Sequence, residues 1–336
     1  MKKKRVKLVD IAAELKVSVG LVSLVLSGKS KENRISDALA KKVMETANAM
    51  GYSANQLARG LRTGKSGIIG LVVADIANPY FGKMARFIEN EASKVGYQVM
   101  FGSSDENPDK LQKIIEVFIS RQVDGVIVVP VKGSQTFFQN SPIQVPLVFI
   151  DRYCDGIEED YVCSDNFEGA FQLCNLLINK GRKQIASFVY NTDLSNNRDR
   201  IKGYRAAIAE GGLSADNDVI YEVGYKHLET RLEPALKDAL KKGCDAFFFA
   251  NNSLGVESLK IFDKLGCKMG KDISMVSFDN PEVYHVVKPG ITCFEQPIEA
   301  MSQTAVKILI DKIINSSNST ISKRMIAGNL VLRESC

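Results

Sequence analysis

The chain has 336 residues, 45% apolar and 25% charged, a globular balance with room for two or three domains. No apolar run reaches the roughly 18 residues a membrane span needs, and no uninterrupted apolar segment with a cleavage site follows the N-terminal MKKKR, so neither a membrane protein nor a secreted precursor is expected. Seven cysteines, odd in number and without a C-x-x-C spacing, argue against a disulfide framework or a zinc site and fit a reducing cytoplasm; two histidines leave little material for histidine-based catalysis.

The net charge of +5 is unevenly placed. Residues 1–65 carry 14 Lys and Arg against 5 Asp and Glu, a net of +9, and the remainder carries 30 against 34, a net of −4. A small cationic head on a mildly acidic body is the footprint of a polyanion-binding module. The head reads as three short helices. LVDIAAELK (residues 8–16) puts Leu8, Ile11, Ala12 and Leu15 on one face. Ser18 is the expected N-cap of the next helix, which lies within VSVGLVSLVLSGK (residues 17–29) and ends at Ser27-Gly28. After a polar loop, Ser36 caps a third helix over residues 37–50, closed by Gly51.

From Ile68 the pattern changes to buried strands alternating with amphipathic helices. IIGLVVA, YQVMFGS, GVIVVP and PLVFID form one series, and IASFVY, IYEVG, AFFFAN and ISMVSFD a second. Two successive series of this kind predict an α/β body of two doubly wound parallel-sheet lobes with helices on both faces. ITCFEQP then leads into a long helix from Pro297 to Asn315, and MIAGNLVLRE reads as one last strand that returns to the earlier sheet. The expected division is a head over residues 1–53, a linker over 54–66 and a two-lobed core over 67–336. The first lobe takes about 67–164 and 296–326, the second about 165–295 and 327–336.

Ligands of open parallel sheets bind outside the carboxyl ends of the strands. Asp75, Asp105, Asp151, Asn191, Tyr225, Asn251 and Asp279 follow predicted strands, an inventory suited to hydroxylated ligands. Many such Asp and Asn residues also cap the next helix. GLRTGKS (residues 60–66) is one residue short of a P-loop and precedes a strand instead of following one. No nucleophile–base pair or metal cluster is visible, so the reading is non-enzymatic and calls for no cofactor or metal.

These residues resemble the lactose-repressor/galactose-repressor (LacI/GalR) family of transcription regulators over nearly the whole chain. VDIAAELKVS (residues 9–18) is similar to the family's opening helix and turn, GYSANQLARGLRTGKS (51–66) to its hinge and IGLVVADIANPYF (69–81) to its first core strand. DR (151–152), SDN (164–166), RIKGY (200–204), FAN (249–251), SFDN (277–280) and EQP (295–297) follow in matching order. The resemblance implies a helix-turn-helix head, a hinge helix and a periplasmic-binding-protein-like core. It implies a homodimer on a palindromic double-stranded operator, with no membrane partner.

On this resemblance the second helix is the recognition helix, presenting Val19, Gly20, Ser23 and Leu24 to the groove, with Ser18 and Lys7 also expected at DNA. The family usually carries polar or charged side chains at the first two positions and Arg at that of Leu24, so bidentate guanine contact is lacking there. Arg34, in a loop about three residues longer than usual, could supply a base contact. Asn55, Ala58 and Leu61 would lie at the minor groove, Leu61 as a wedge. A hinge of about ten residues, weakened by Gly60, is expected to fold only when paired on DNA. The effector-binding set would be Tyr80, Phe81, Asp151, Asp165, Arg200, Tyr225, Asn251 and Asp279, with Asn252 where Asp is usual. A sugar, sugar phosphate or nucleoside fits equally. The alternatives are a sugar-binding protein without a DNA function, opposed by the basic head, and an enzyme using the inter-lobe carboxylates.

Overall fold

The computed structural model describes residues 6–52, 65–141, 143–214, 218–315 and 320–336. The chain divides into two compact units, Met1–Ser66 and Gly67–Cys336.

In the first unit the apolar spacing produces helices α1 (Leu8–Leu15), α2 (Val19–Leu26) and α3 (Asp37–Ala49). Ile11, Ala12, Val22, Val25, Val43 and Ala47 meet in one buried cluster. The caps account for the boundaries. Asp10 accepts the Lys7 backbone N–H at 2.7 Å, Ser18 Oγ that of Leu21 at 3.2 Å and Ser36 Oγ that of Leu39 at 3.4 Å. Lys16 and Met50, expected as the last helical residues, are instead C-caps. Lys16 turns left-handed at φ 53°, which leaves only Val17 and Ser18 to reverse the chain into α2.

The second unit begins with β1 (Ile68–Val73), α4 (Pro79–Lys94), β2 (Gln98–Ser103), α5 (Pro108–Ser120), β3 (Gly125–Val128), α6 (Gln135–Asn140), β4 (Leu147–Ile150) and β5 (Asp160–Ser164). It continues with α7 (Asn166–Asn179), β6 (Ile185–Tyr190), α8 (Ser195–Glu210), β7 (Val219–Val223), α9 (Leu228–Lys241), β8 (Ala246–Phe249), α10 (Asn252–Lys264) and β9 (Ser274–Phe278). α11 (Val283–Val286), β10 (Thr292–Glu295), α12 (Ile298–Ile314), β11 (Lys323–Ile326) and β12 (Asn329–Val331) complete it. Among the described residues there are two six-stranded sheets, ordered β11-β5-β4-β3-β1-β2 and β12-β10-β9-β8-β6-β7. The two orders repeat each other position by position. Every pairing is parallel except β10 with β12.

Two features differ from the sequence reading. β5 was not expected as a strand: its five residues begin with a charged Asp160, which is wholly buried and paired with Lys312 of α12. The final run is not one strand but two. β11 joins the first sheet beside β5, and β12 joins the second beside β10. Between them Gly328 lies so close to β10 that a Cβ would sit 2.5 Å from the Glu295 carbonyl oxygen. The chain therefore passes between the sheets three times, at Asp165, at Gln296-Pro297 and at Ala327-Gly328.

Candidate functional site

In each lobe the third strand of the sheet order ends in an aspartate with left-handed backbone: Asp151 after β4 at φ 71° and Asp279 after β9 at φ 67°. Asp tolerates this conformation better than most residues, and here it turns both carboxylates into a cavity of ≈ 200 Å³ walled by both lobes. Both are nearly buried. Asp151 accepts the Tyr80 hydroxyl at 2.7 Å. Asp279 accepts the Asn252 backbone N–H at 3.0 Å and the Gln296 side-chain amide at 2.6 Å. Gln296, on a crossing segment, also lies 3.2 Å from the Tyr80 hydroxyl, so one polar chain runs from Asp151 to Asp279. Burial, with the two carboxylates adding, holds the Tyr80 hydroxyl well above its usual pKa and keeps it a donor.

Two guanidiniums complete the charge pattern. Arg152 is paired through both terminal nitrogens with Glu106, at 3.0 and 2.8 Å, and its Nε lies 3.2 Å from Asp151. Burial acts to lower its pKa, but Glu106 and Asp151 outweigh that and raise it. Arg200 is different. Its Nε donates to Asn166 at 2.8 Å, one terminal nitrogen donates to the Ala250 carbonyl, and its Cζ lies 3.9 Å from the Phe278 ring centre. Among the described residues it forms no carboxylate ion pair. Burial lowers its pKa, with Asp279 and Asp151 opposing the fall. A buried cation without a paired anion favours an occupant that supplies acceptors.

The remaining wall comes from the second lobe. Tyr190 and Tyr225 meet edge to face at 5.4 Å, and Asn191, Asn196 and Asn197 lie beyond them. Direct contacts already join the lobes at the rim. The Asn252 amide donates to Asn78 Oδ1 at 2.9 Å, Tyr225 donates to Asp75, and the Tyr153 backbone N–H donates to Ser195 Oγ at 2.9 Å.

Of the effector set read from the sequence, Tyr80, Phe81, Asp151, Arg200, Tyr225, Asn251 and Asp279 line this cavity. Asp165 does not. It sits at a crossing, where its carboxylate caps α7 by accepting the Glu168 N–H at 3.0 Å. Asn251 also caps a helix, α10, while lining the cavity. The sequence reading omitted Asn78, Glu106, Arg152 and Gln296 from the site. Arg152 and Gln296 fell within matched motifs, and Asn78 precedes a proline as a visible helix cap, but nothing local announces that Glu106 holds Arg152.

In the head, Val19 and Gly20 are exposed at the start of α2, and Ser23 and Leu24 are half-buried beside them. Ser18 is the cap, Lys7 precedes α1 on the surface, and Arg34 is exposed in the turn before α3 at φ 51°. Asn55, Ala58 and Leu61 lie outside the described residues.

Residues 174–336 match the periplasmic binding protein-like domain family. The chain is 30% identical over 298 residues to the HTH-type transcriptional regulator DegA of Bacillus subtilis (strain 168), covering 87% of each chain. It is 29% identical over 315 residues to catabolite control protein A of Priestia megaterium, covering 90% of this chain and 91% of that one. The solved lac repressor dimer, bound to operator and an anti-inducer, shares the fold at a TM-score of 0.85 with 20% identity, over 99% of both chains. With a trihelical cationic head, two repeated sheets around one cavity and this extent of similarity, the chain belongs to the LacI/GalR family of transcriptional regulators.

Proposed function

We propose that this regulator binds a palindromic operator as a homodimer in the cytoplasm, and that a small molecule held between its lobes sets the operator affinity. The observation that carries the reading is the polar chain from Asp151 through Tyr80 and Gln296 to Asp279, which spans the cavity from one lobe to the other. An occupant bonded to both ends favours one lobe orientation, and a ligand shifts an equilibrium only by its differential affinity for the two states. That orientation would bias the pairing of the two hinges at residues 54–66.

The wall chemistry favours an uncharged polyhydroxylated effector, a sugar or a nucleoside. Glu106, Asp151 and Asp279 outnumber Arg152 and Arg200 and are matched only when the exposed Lys132 is counted, so the lining offers no excess of cations for a phosphate. Carboxylates accept from hydroxyls, Arg200 donates to them, and the two tyrosines offer ring surface.

The test is to select an operator from random duplexes with the full chain, then titrate its complex with sugars, sugar phosphates and nucleosides by fluorescence anisotropy. One uncharged class should change the operator Kd by about 5–150-fold, the usual range of allosteric coupling. A compound that raises the melting temperature but leaves operator Kd unchanged would overturn the coupling.

A further inference from the structure

We propose that α2 reads its operator through an apolar, side-chain-poor face, so that the bases opposite it are thymines contacted at their C5-methyl groups. This rests on the reading of the head as a duplex-DNA-binding unit. In a helix-turn-helix the second helix enters the major groove with its N-terminal residues towards the base edges. The sequence of α2 is VGLVSLVL, with Ser23 its one polar side chain. Val22 and Val25 are buried in the head core. The opposite face presents Val19, 43% exposed, with Gly20, Ser23 and Leu24 beside it. Bidentate reading of guanine or adenine needs Arg, Lys, Asn or Gln, and this face has none. What an apolar side chain can distinguish in the major groove is the thymine methyl.

Gly20 is an independent observation. Close approach of a neighbouring surface is one reason for a glycine in a helix, whether mid-helix as at Gly203 or in the first turn as at Gly20. At Gly203 the reason is internal, because a Cβ there would sit 2.2 Å from a backbone oxygen. At Gly20 no described residue makes such a contact. Its backbone is ordinary, and among the described residues a Cβ would meet only the Ser18 hydroxyl, at 4.0 Å. Among the described residues that space is open, which leaves room for a duplex to approach α2 closely at this residue. The cationic surround, with Lys7, Lys29 and Lys31 in the same unit, would hold the duplex by its phosphates, which position without specifying sequence.

The test uses the full chain and the selected operator. Each thymine is replaced in turn by deoxyuridine, which removes only the methyl group. Thymines facing α2 should each lose about fourfold in affinity, the effect of one methyl withdrawn from an apolar contact. Gly20→Ala should lower operator affinity at least about tenfold by holding the groove away, while amide exchange in α1–α3 slows or stays the same. Deoxyuridine without effect at every position would overturn the proposal, as would Gly20→Ala with unchanged affinity. Failure to retain any duplex in dilute salt would instead overturn the DNA-binding reading beneath it.

Discussion

An alanine at Gly203 would place its Cβ 2.2 Å from the Phe167 carbonyl oxygen, 2.9 Å from the Ala170 Cβ and 3.0 Å from the Phe171 nitrogen. Two of these three are backbone atoms of α7 and cannot swing aside. Restoring ordinary contact distance requires α8 to withdraw from α7 by about 1 Å. Overpacking of this kind costs about 1–3 kcal/mol, offset by about 1 kcal/mol from the better helix propensity of alanine. The net loss of up to about 2 kcal/mol corresponds to a fall in Tm of up to about 8 °C for a unit of this size. The functional effect should be larger than the loss of stability suggests. Arg200 lies one turn earlier on α8, and its 2.8 Å bond to Asn166 is made to the same α7 that the helix must leave. Calorimetry of Gly203→Ala should show the lower Tm, and titration with the effector found by screening should show weakened binding. A Tm unchanged or raised, with effector affinity retained, would refute the idea that this close approach positions Arg200.

Three further outcomes are expected. Arg200→Ala should remove the change in operator Kd on adding effector, because a buried donor facing the cavity is lost; a full response in anisotropy titration would clear Arg200 of that role. Burial raises the Asp279 carboxyl pKa, opposed by Arg200 and the Gln296 and Asn252 hydrogen bonds. Its contribution to stability is then fully present below the unfolded carboxyl pKa and is lost as pH rises through the raised value. The Tm of Asp279→Asn minus that of the unaltered chain should therefore become more positive from pH 4 towards pH 8, and a difference that falls would contradict the sign. Asn78 and Asn252 exchange amide bonds across the cleft at 2.9 and 3.4 Å. In a double-alanine cycle their coupling in effector affinity should reach about 1 kcal/mol, roughly fivefold; additive single effects would show that the pair does not hold the lobes together.

Much of the architecture was legible along the chain. Ser18 and Ser36 mark helix starts because their hydroxyls accept the orphan N–H groups of a first turn, a relation spanning three residues. Runs such as IIGLVVA and AFFFAN mark strands because β-branched and aromatic residues fill a sheet covered on both faces. The strand-end rule reached Asp151 and Asp279, where the chain turns left-handed, and Asn251, which caps α10. β5 escaped because DYVCS is short and opens with a charge whose partner, Lys312, lies on α12. The end of the chain read as one strand because its hydrophobic pattern does not show that Gly328 must slip between two sheets.

The cavity itself is a tertiary product. Asp165 and Asp151 both follow strands, but the first turns into a helix cap at a crossing and the second faces the cavity; their residue types do not distinguish them. Arg152 finds Glu106 across 46 residues, and Tyr80 finds Gln296 across 216. Periodicity and capping depend on neighbours within a turn or two, so composition and order determine them. Which side chains share a cleft depends on how two repeated sheets are joined by three crossings, and that arrangement exists only once both lobes have folded.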